Sequence, residues 1–432
     1  MELATEIEHV LRTHRLPGLG EDLPSTFVMP HYGGYSIANL PPTVARLLGV
    51  EMQDAAPPLA EELWAGLAPG VRRVVLVVLD ALGYLHLRRA LAEEESALGN
   101  LAQAGRLFPL TTVFPSTTVA ALTTLWTGQA PLAHGFVGTR LLLSEHGMLA
   151  NMLHLSPATH RQSNALLDWG WAPEDFVPVP SLGQRLTAAG VETVAHTHLP
   201  FLGGGLTRVF MRGMAHMRGH IGFSDMWINL RHTLCERPGE RLFASAYWGG
   251  IDSASHVYGP AGEPCRAALR HLSRSLEEDF LARLPADARE GTLLIITADH
   301  GQTETPPERA VQLPAHPALR RMLLLPPAGE PRAAYLYLRT GQAEALRAYV
   351  AEHLAERFIL IETERALAAG LFGPGEPSPE TRSRLGDRLL LARNDSRLLE
   401  KEEKYPLHGH HGSLTAEEMM APAIIVRLDG VS

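Results

Sequence analysis

The sequence predicts an α/β protein with a mostly parallel sheet, and two observations carry this prediction. Short runs of apolar or β-branched residues alternate along the chain with segments of helical periodicity, as expected for parallel strands joined by helices. Three of these runs lead into a carboxylate, at Asp80, Asp252 and Asp299. Because ligands bind at the carboxyl ends of parallel strands, we expect these three residues to meet at one edge of the sheet.

The predicted elements follow one another along the chain. The apolar run from Val74 to Leu79 predicts the first strand. "LFPLTTVFPS" predicts a strand and a turn, and "TTVAALTTLWTG" predicts a helix that ends at Gly128. "SLGQRLTAAG", with a serine cap and a closing glycine, predicts a helix before the strand "VETVAH". "RLFASAYWGGID" and "GTLLIITADHG" predict the strands before Asp252 and Asp299, and "RAAYLYLRTGQAEALRAYVAEHLAER" predicts a strand, a turn and an amphipathic helix.

The length of 432 residues predicts one large domain that carries insertions or a cap, since single cores stop growing at about 250 to 300 residues. With 45% hydrophobic and 20% charged residues, the chain has the composition of a folded globular protein. We assign residues 1–432 to a single domain. Its core is expected roughly at 70–137, 241–310 and 401–432, and the insertions or cap at 138–240 and 311–400.

The net charge of -9 argues against a protein that binds a nucleic-acid polymer or an anionic membrane nonspecifically, since both kinds of binding use a basic surface. The N-terminal segment mixes Glu, Arg and His, and no run of about 18 apolar residues occurs, so we expect a cytoplasmic protein. Cys235 and Cys265 lack CxxC spacing and are expected to be reduced thiols. The sequence does not indicate an oligomeric state.

Three aspartates gathered at one edge would repel one another unless a cation lay between them. Their neighbours are also of ligand type, because His300 follows Asp299 and His256 lies four residues after Asp252. A fourth segment, "HGHHGSLTAEEM", adds His408, His410 and His411. Mixed imidazole and carboxylate ligands favour zinc, with manganese or iron next.

These motifs resemble those of the alkaline phosphatase superfamily, and within it those of the type I phosphodiesterase/nucleotide pyrophosphatase branch. They are "LDALG", "FPSTTVAALTTLWTG" with "PLAHG" after it, "GIDSASHVYGP", "TADHGQT" and "HHGSLTAEEM", in the family's order over residues 74–420. The resemblance implies an alkaline phosphatase-like three-layer α/β/α core with a mostly parallel sheet and inserted cap-like segments.

The resemblance also implies two divalent metal ions, usually Zn²⁺, with Mn²⁺ as the other candidate. Asp252, His256 and His411 would hold one ion, and Asp80, Asp299 and His300 the other, with the nucleophile hydroxyl between the two. His411 is chosen because the family's ligand histidine directly precedes Gly-Gly or Gly-Ser, here Gly412-Ser413. His408 and His410 are expected to be loop residues.

Three adjacent hydroxyls, on Ser116, Thr117 and Thr118, lie at the start of the predicted helix after "FP". A helix N-terminus and a bound metal ion both favour an alkoxide, and the residues alone leave all three open as the nucleophile. In the family, the nucleophile lies ten residues before the glycine of "TG" and four after the Phe of "FP", and both spacings select Thr118. Ser116 or Thr117 would then cap the helix. Ala121 stands where the family's diesterases commonly carry an asparagine that helps to hold a phosphoryl oxygen.

We therefore expect a metal-dependent phosphoester hydrolase with a threonine nucleophile, first of all a phosphodiesterase or nucleotide pyrophosphatase. Two divalent cations against three carboxylates and an alkoxide would make a neutral site, which suits a diester monoanion. The expected partner is a small phosphoester or nucleotide-type substrate. A phosphomonoesterase, phosphonate hydrolase or phosphomutase on the same metal core is the alternative, and a non-catalytic binding protein is the remote one.

Overall fold

The computed structural model describes residues 2–160, 162–237 and 239–431. Its strands are β1 Arg73–Leu79, β2 Arg106–Thr111, β3 Arg140–Leu143, β4 Met148–Asn151, β5 Ser156–Pro157, β6 Glu192–His198, β7 His216–His220, β8 Leu242–Trp248, β9 Thr292–Thr297, β10 Thr303–Glu304, β11 Ala310–Gln312, β12 Ala328–Glu330, β13 Ala333–Leu336, β14 Phe358–Glu362, β15 Arg388–Ala392, β16 Arg397–Leu399, β17 Gly409–His410 and β18 Met420–Arg427.

The α-helices in the described residues are α1 Glu2–Thr13, α2 Leu40–Leu47, α3 Tyr84–Glu93, α4 Ala97–Ala104, α5 Thr118–Thr127, α6 Pro131–His134, α7 Ala165–Asp168, α8 Pro173–Phe176, α9 Leu182–Ala188, α10 Gly205–Phe210, α11 Phe223–Glu236, α12 Gly250–Tyr258, α13 Glu263–Ser275, α14 Ala286–Arg289, α15 Pro317–Met322, α16 Ala343–His353, α17 Thr363–Ala368, α18 Pro379–Arg384 and α19 Ala416–Met419. Among them, none has the length and apolar character needed to cross a bilayer.

The main sheet has seven strands in the order β2-β18-β9-β1-β8-β6-β7. Its strands are parallel except for β18, which runs antiparallel to β2 and to β9. Every residue of β1 and of β9 is buried, as expected where other elements cover both faces of a parallel sheet. The predicted α/β fold with a mostly parallel sheet is confirmed.

A second sheet, antiparallel throughout, has the order β14-β15-β13-β12-β3-β4-β5. The structure therefore divides the segment 138–240, predicted to be an insertion, in a different way. β3 to β5 join the second sheet, whereas β6 and β7 extend the main sheet beside β8. The strand "VETVAH" was recognisable, but its sheet depends on a pairing with a segment about 50 residues away, such as Val194 with Ala244.

Both sheets share one continuous hydrophobic core, which includes Leu76 of the main sheet and Tyr335 and Leu389 of the second. A smaller cluster, with Leu346 and Leu390, lies under α16 at the second sheet. This packing supports the interpretation of the chain as one domain, which stays a prediction.

Two glycines let the carboxyl ends of β1 and β9 approach each other. A Cβ atom on Gly301 would lie 2.9 Å from the Cα of Gly83 and would collide with the carbonyl oxygen of Glu417. The glycines of "LDALG" and "TADHG" thus meet at van der Waals distance, and any side chain at Gly301 would push the two strand ends apart.

Candidate active site

The residues predicted for the site come together at the carboxyl edge of the main sheet. Asp80 directly follows β1, and Asp299 and His300 follow β9. Asp252 and His256 lie one turn apart on α12, which begins after β8. Thr118 is the first residue of α5, and His411 follows β17. Strands β8, β1 and β9 are neighbours in the sheet, so their ends place these side chains side by side.

Asp252, His256 and His411 form a compact group whose ligand atoms all lie within 4.8 Å of one another. The Nε2 atom of His256 lies 3.3 Å from Oδ1 of Asp252, and Nε2 of His411 lies 3.9 Å from the same oxygen. These are the three residues expected to hold the first metal ion, and we call them the first ligand group.

A second compact group consists of Asp80, Asp252 and His300, again within 4.8 Å. The sequence predicted Asp299 rather than Asp252 in this group. Asp299 lies beside it, with Oδ2 3.3 Å from Nε2 of His300, while its Oδ1 accepts hydrogen bonds from the main-chain N–H groups of Ala81 and His300. Asp252 belongs to both groups, and it is placed there by α12, which begins shortly after β8. The assignment of Asp299 as a ligand stays a prediction.

The hydroxyl of Thr118 lies against the second group, with Oγ1 3.1 Å from Nε2 of His300. Oδ1 of Asp80 lies 3.6 Å from the same Nε2 atom. Thr118 is half-buried and begins α5, so the positive end of the helix dipole faces this position. A negatively charged oxygen or phosphoryl group is therefore favoured at Thr118.

All three imidazoles are oriented in the same way. Each ring makes a hydrogen bond through Nδ1 to a main-chain carbonyl oxygen: His256 to Gly409 at 2.7 Å, His300 to Gly301 at 3.0 Å and His411 to Ser116 at 2.9 Å. Because a carbonyl only accepts, Nδ1 carries the proton in each ring. Nε2 is left as a lone-pair donor facing the aspartates, as in metal-binding histidines.

Two carboxylate oxygens in the site lack a hydrogen-bond donor. Oδ1 of Asp80 and Oδ2 of Asp299 are buried and find no hydrogen-bond partner among the described residues. Buried, unpaired charged oxygens are costly, and with three Nε2 lone pairs beside them they form a donor set that fits divalent cations. The residues present thus fit the metals that the resemblance implies.

The pKa shifts report the same crowding of charge. Burial, followed by the charges of Asp299 and Asp252, raises the pKa of Asp80 well above its usual range. Burial raises the pKa of Asp299 to about 7. Burial alone would also raise the pKa of Asp252, but the hydrogen bond and charge of His256 hold that pKa below its usual range. Burial and the two other histidines lower the pKa of His411.

Two residues that hold the aspartates were missed from the sequence. The hydroxyl of Tyr247 donates a hydrogen bond to Oδ2 of Asp80, and the amide of Gln302 donates one to Oδ1 of Asp252 at 2.6 Å. Gln302 lies within the motif "TADHGQT" and could have been considered as a polar neighbour. Tyr247 lies in β8 and carries no motif, so only the tertiary structure identifies it.

The predicted side-chain cap of α5 is wrong. Thr117 occupies the N-cap position through its backbone, but its side chain makes no capping hydrogen bond. Its hydroxyl instead lies 3.2 Å from that of Thr139, and the Ser116 hydroxyl bonds to the main chain near His411. The hydroxyls of Ser116 and Thr117 therefore bond to distant segments and do not cap the helix.

His410 also differs from its prediction as a loop residue. It pairs with Thr303 in the short ladder of β10 and β17, and its side chain is buried. Its Nδ1 lies 2.6 Å from the Thr305 hydroxyl. The antiparallel pairing joins segments more than 100 residues apart, and the sequence pattern of a two-residue strand does not reveal it.

Comparison with known proteins gives a family match over most of the chain. The profile of the type I phosphodiesterase / nucleotide pyrophosphatase family matches residues 74–414. No significant match was found among curated proteins.

Solved structures share the fold. Murine ectonucleotide pyrophosphatase / phosphodiesterase 5 superposes with a TM-score of 0.62 at 16% identity, over 82% of this chain and 87% of that chain. Its inactive threonine-to-alanine variant in complex with AMP gives 0.63 at 15%, over 82% and 88%. Phosphonoacetate hydrolase from Sinorhizobium meliloti 1021, in complex with phosphonoacetate, gives 0.59 at 18%, over 83% and 90%.

Proposed function

This chain belongs to the type I phosphodiesterase / nucleotide pyrophosphatase family and is a hydrolase of phosphoester bonds, and from that premise we propose that Thr118 is its nucleophile and that it works with two divalent cations. Zn²⁺ is the first candidate and Mn²⁺ the second, because the donor set mixes imidazole nitrogens with carboxylate oxygens. The first ligand group would hold one cation. Asp80, Asp299 and His300 would hold the other, with Asp252 close to both.

The observation that carries this proposal is the common orientation of the three histidines. Their Nδ1 atoms are tied to main-chain carbonyls, and their Nε2 atoms converge with the aspartates beside the Thr118 hydroxyl. A purely structural cluster would be expected to pair its buried carboxylates with donors. Here Oδ1 of Asp80 and Oδ2 of Asp299 accept no hydrogen bond within the described residues.

The proposed reaction proceeds in two steps on Thr118. Its oxygen attacks the phosphorus in line with the leaving oxygen, so that the Oγ1–P bond forms as the bond to the leaving group breaks. With a diester substrate the intermediate is a phosphodiester of Thr118 that keeps the second ester group. Water then attacks its phosphorus, the Oγ1–P bond breaks, and Oγ1 regains the proton that it lost in the first step. When bound, the cations would polarise the phosphoryl oxygens and lower the pKa of the Thr118 hydroxyl. The N-terminus of α5 adds its partial positive charge at the same place.

The charge balance favours a diester over a monoester. Every ion pair that the structure gives to Asp80, Asp252 and Asp299 is with a histidine, and none is with an arginine or lysine in the described residues. Two divalent cations would therefore balance three carboxylates and one alkoxide, which leaves no surplus charge for a dianion. We propose a small phosphodiester or nucleotide-type substrate, in keeping with the AMP bound by the murine relative's variant.

Ala121 favours a second candidate, a phosphonate or phosphomonoester hydrolase. It is buried within α5 and has no polar side chain for a phosphoryl oxygen, unlike the asparagine expected of a diesterase. The similarity to a phosphonoacetate hydrolase shows that the fold accommodates such an enzyme.

A substrate panel on protein of known metal content tests the proposal. We expect hydrolysis of bis-p-nitrophenyl phosphate to exceed that of p-nitrophenyl phosphate and of phosphonoacetate, and to stop on chelation. Asp252→Asn should lose activity and one cation, whereas the surface variant Asp395→Asn should behave as the wild type. Hydrolysis mainly of the monoester or the phosphonate would support the second candidate. No hydrolysis by protein with two bound cations would overturn both. A cytoplasmic location stays a prediction of the sequence.

A further inference from the structure

Ser116 joins two segments of the site that lie almost 300 residues apart in the chain. Its carbonyl oxygen accepts the hydrogen bond from Nδ1 of His411 at 2.9 Å. Its hydroxyl accepts one from the main-chain N–H of Gly412 at 3.1 Å and donates one to the carbonyl of Ser413 at 2.8 Å. Ser116 is fully buried, so water does not compete for these three bonds.

The His411 ring is oriented by its hydrogen bond to the Ser116 carbonyl and by stacking on the ring of His300, with the ring centroids 4.0 Å apart. Among the described residues, the structure gives the His411 imidazole no other hydrogen bond. The loop around it is also held through Ser413, whose N–H donates to Glu418 at 2.9 Å and whose hydroxyl donates to the carbonyl of Ala392 at 2.9 Å. These bonds hold the main chain after the histidine, but they do not fix the direction of its ring.

The same residue shapes the turn that carries the nucleophile. Ser116 lies two residues before Thr118, and its hydroxyl does not cap α5. The path of the partner loop is also constrained, because Gly412 has φ +123° and a Cβ there would lie 2.7 Å from the Cβ of Glu330. Three hydrogen bonds of Ser116 thus link the turn before α5 directly to a loop that has little room to move.

We infer that Ser116 is a positioning residue that couples the cation site of the first ligand group to the placement of Thr118. The inference rests on the proposed function. A cation at His411 favours the loop conformation in which the Ser116 hydroxyl bonds to Gly412 and Ser413. The same hydrogen bonds hold the turn that precedes the nucleophile. Because such coupling is reciprocal, a cation bound at His411 stabilises the turn by the same free energy that the turn contributes to cation binding.

Zn²⁺ affinity, measured by chelator competition, tests this inference without an activity assay. Ser116→Ala keeps the carbonyl that is bonded to His411 and removes the hydroxyl that holds Gly412 and Ser413. It should therefore weaken one of the two Zn²⁺ sites by roughly tenfold, the cost of one or two lost buried hydrogen bonds, and leave the other unchanged. Ser116→Thr keeps the hydroxyl and should restore the affinity. The matched control is Thr123→Val, which removes a buried hydroxyl that bonds only within α5, to the carbonyl of Val119. Both affinities within twofold of wild type in Ser116→Ala would overturn the inference.

A second measurement applies even where Ser116→Ala does not fold. In Thr118→Ala protein, which cannot ligate a cation through residue 118, Zn²⁺ should slow amide hydrogen exchange in 411–413 and in 116–118 together. Protection confined to 411–413 would contradict the coupling. A wild-type protein that binds two cations but hydrolyses no phosphoester would contradict the proposed function alone. A wild-type protein that binds no cation would contradict both the proposed function and the inference about Ser116.

Discussion

The three adjacent hydroxyls before α5 have different partners, although the sequence places them side by side. The Ser116 hydroxyl bonds to the His411 loop, that of Thr117 lies against Thr139, and that of Thr118 lies 3.1 Å from His300. Only the last faces the aspartates and histidines of the site. At the scale of single residues, the role of each hydroxyl therefore depends on its neighbours in space, which are distant in the chain.

His134 gives a test of stability against pH at this scale. It is fully buried, its Nδ1 accepts the N–H of Phe136 at 3.1 Å, and burial lowers its pKa from 6.5 to about 3. Since the unfolded chain takes up a proton below pH 6.5 and the folded chain does not, stability falls as pH falls from 6.5 towards 3. This residue should contribute a loss of about 2 kcal/mol between pH 7 and 5.

Urea unfolding in chelator at pH 7 and pH 5 checks this expectation. His134→Gln should be less stable than wild type at pH 7 but should lose about 2 kcal/mol less on acidification. His146→Gln, on an exposed turn, is the control. An unchanged pH dependence in His134→Gln would contradict the buried, neutral histidine.

The candidate ligands could be found from the sequence because each follows a strand or lies in a motif. The spacing from Phe114 and Gly128 also singled out Thr118, through the family resemblance. Tyr247 and Gln302 were missed, and Ser116 was expected in another role, because all three act through hydrogen bonds to residues far along the chain. A hydroxyl or amide has no positional signal for such a partner.

At the scale of elements, a buried ion pair ties α19 to the second sheet. Glu418 of α19 accepts hydrogen bonds from Arg332, which lies just before β13, at 2.7 and 2.8 Å, and from the N–H of Ser413 at 2.9 Å. Both charged side chains are completely buried. Through the hydrogen bond from Ser413, the pair also holds the loop that carries His411.

Removing one charge of this pair should be costly. Glu418→Gln leaves the guanidinium of Arg332 buried without its counter-charge and should lower the free energy of unfolding by about 3–5 kcal/mol. The double variant Arg332→Met/Glu418→Met removes both charges and should lose less than the single variant. Urea denaturation measures both, and a double variant less stable than Glu418→Gln would contradict this account.

The strands of the main sheet that end in carboxylates could be predicted, because long buried apolar runs are a strong local signal. The second sheet could not. Its strands are short, and they pair across long separations, as Gly329 does with Arg140. The place of β6 and β7 in the main sheet has no local signal either, since the pairing of "VETVAH" with β8 is not encoded in its own pattern.

At the scale of the whole molecule, a chain of net charge -9 gathers three aspartates at one sheet edge, the buried Asp80 and Asp299 and the partly buried Asp252. Bound cations should therefore stabilise the entire fold, because they bind the folded chain and relieve this repulsion. With free Zn²⁺ at about 100 times its dissociation constant, each site should add about 2.7 kcal/mol to the free energy of unfolding.

Thermal or urea unfolding before and after chelation measures this effect. Wild-type protein should lose stability in chelator and regain it with Zn²⁺. Asp252→Asn should show a smaller difference, because Asp252 lies in both compact groups. The same transition with and without Zn²⁺ in the wild type would be incompatible with a metal centre.

The central claim is that Thr118 attacks the phosphorus, and turnover of bis-p-nitrophenyl phosphate by Thr118→Ala protein of measured metal content tests it most directly. The control is Thr117→Val, which should keep turnover and lose about 1 kcal/mol of stability with its bond to Thr139. The account predicts that Thr118→Ala abolishes turnover while close to two cations per chain remain bound. Turnover at the wild-type rate by Thr118→Ala would contradict it.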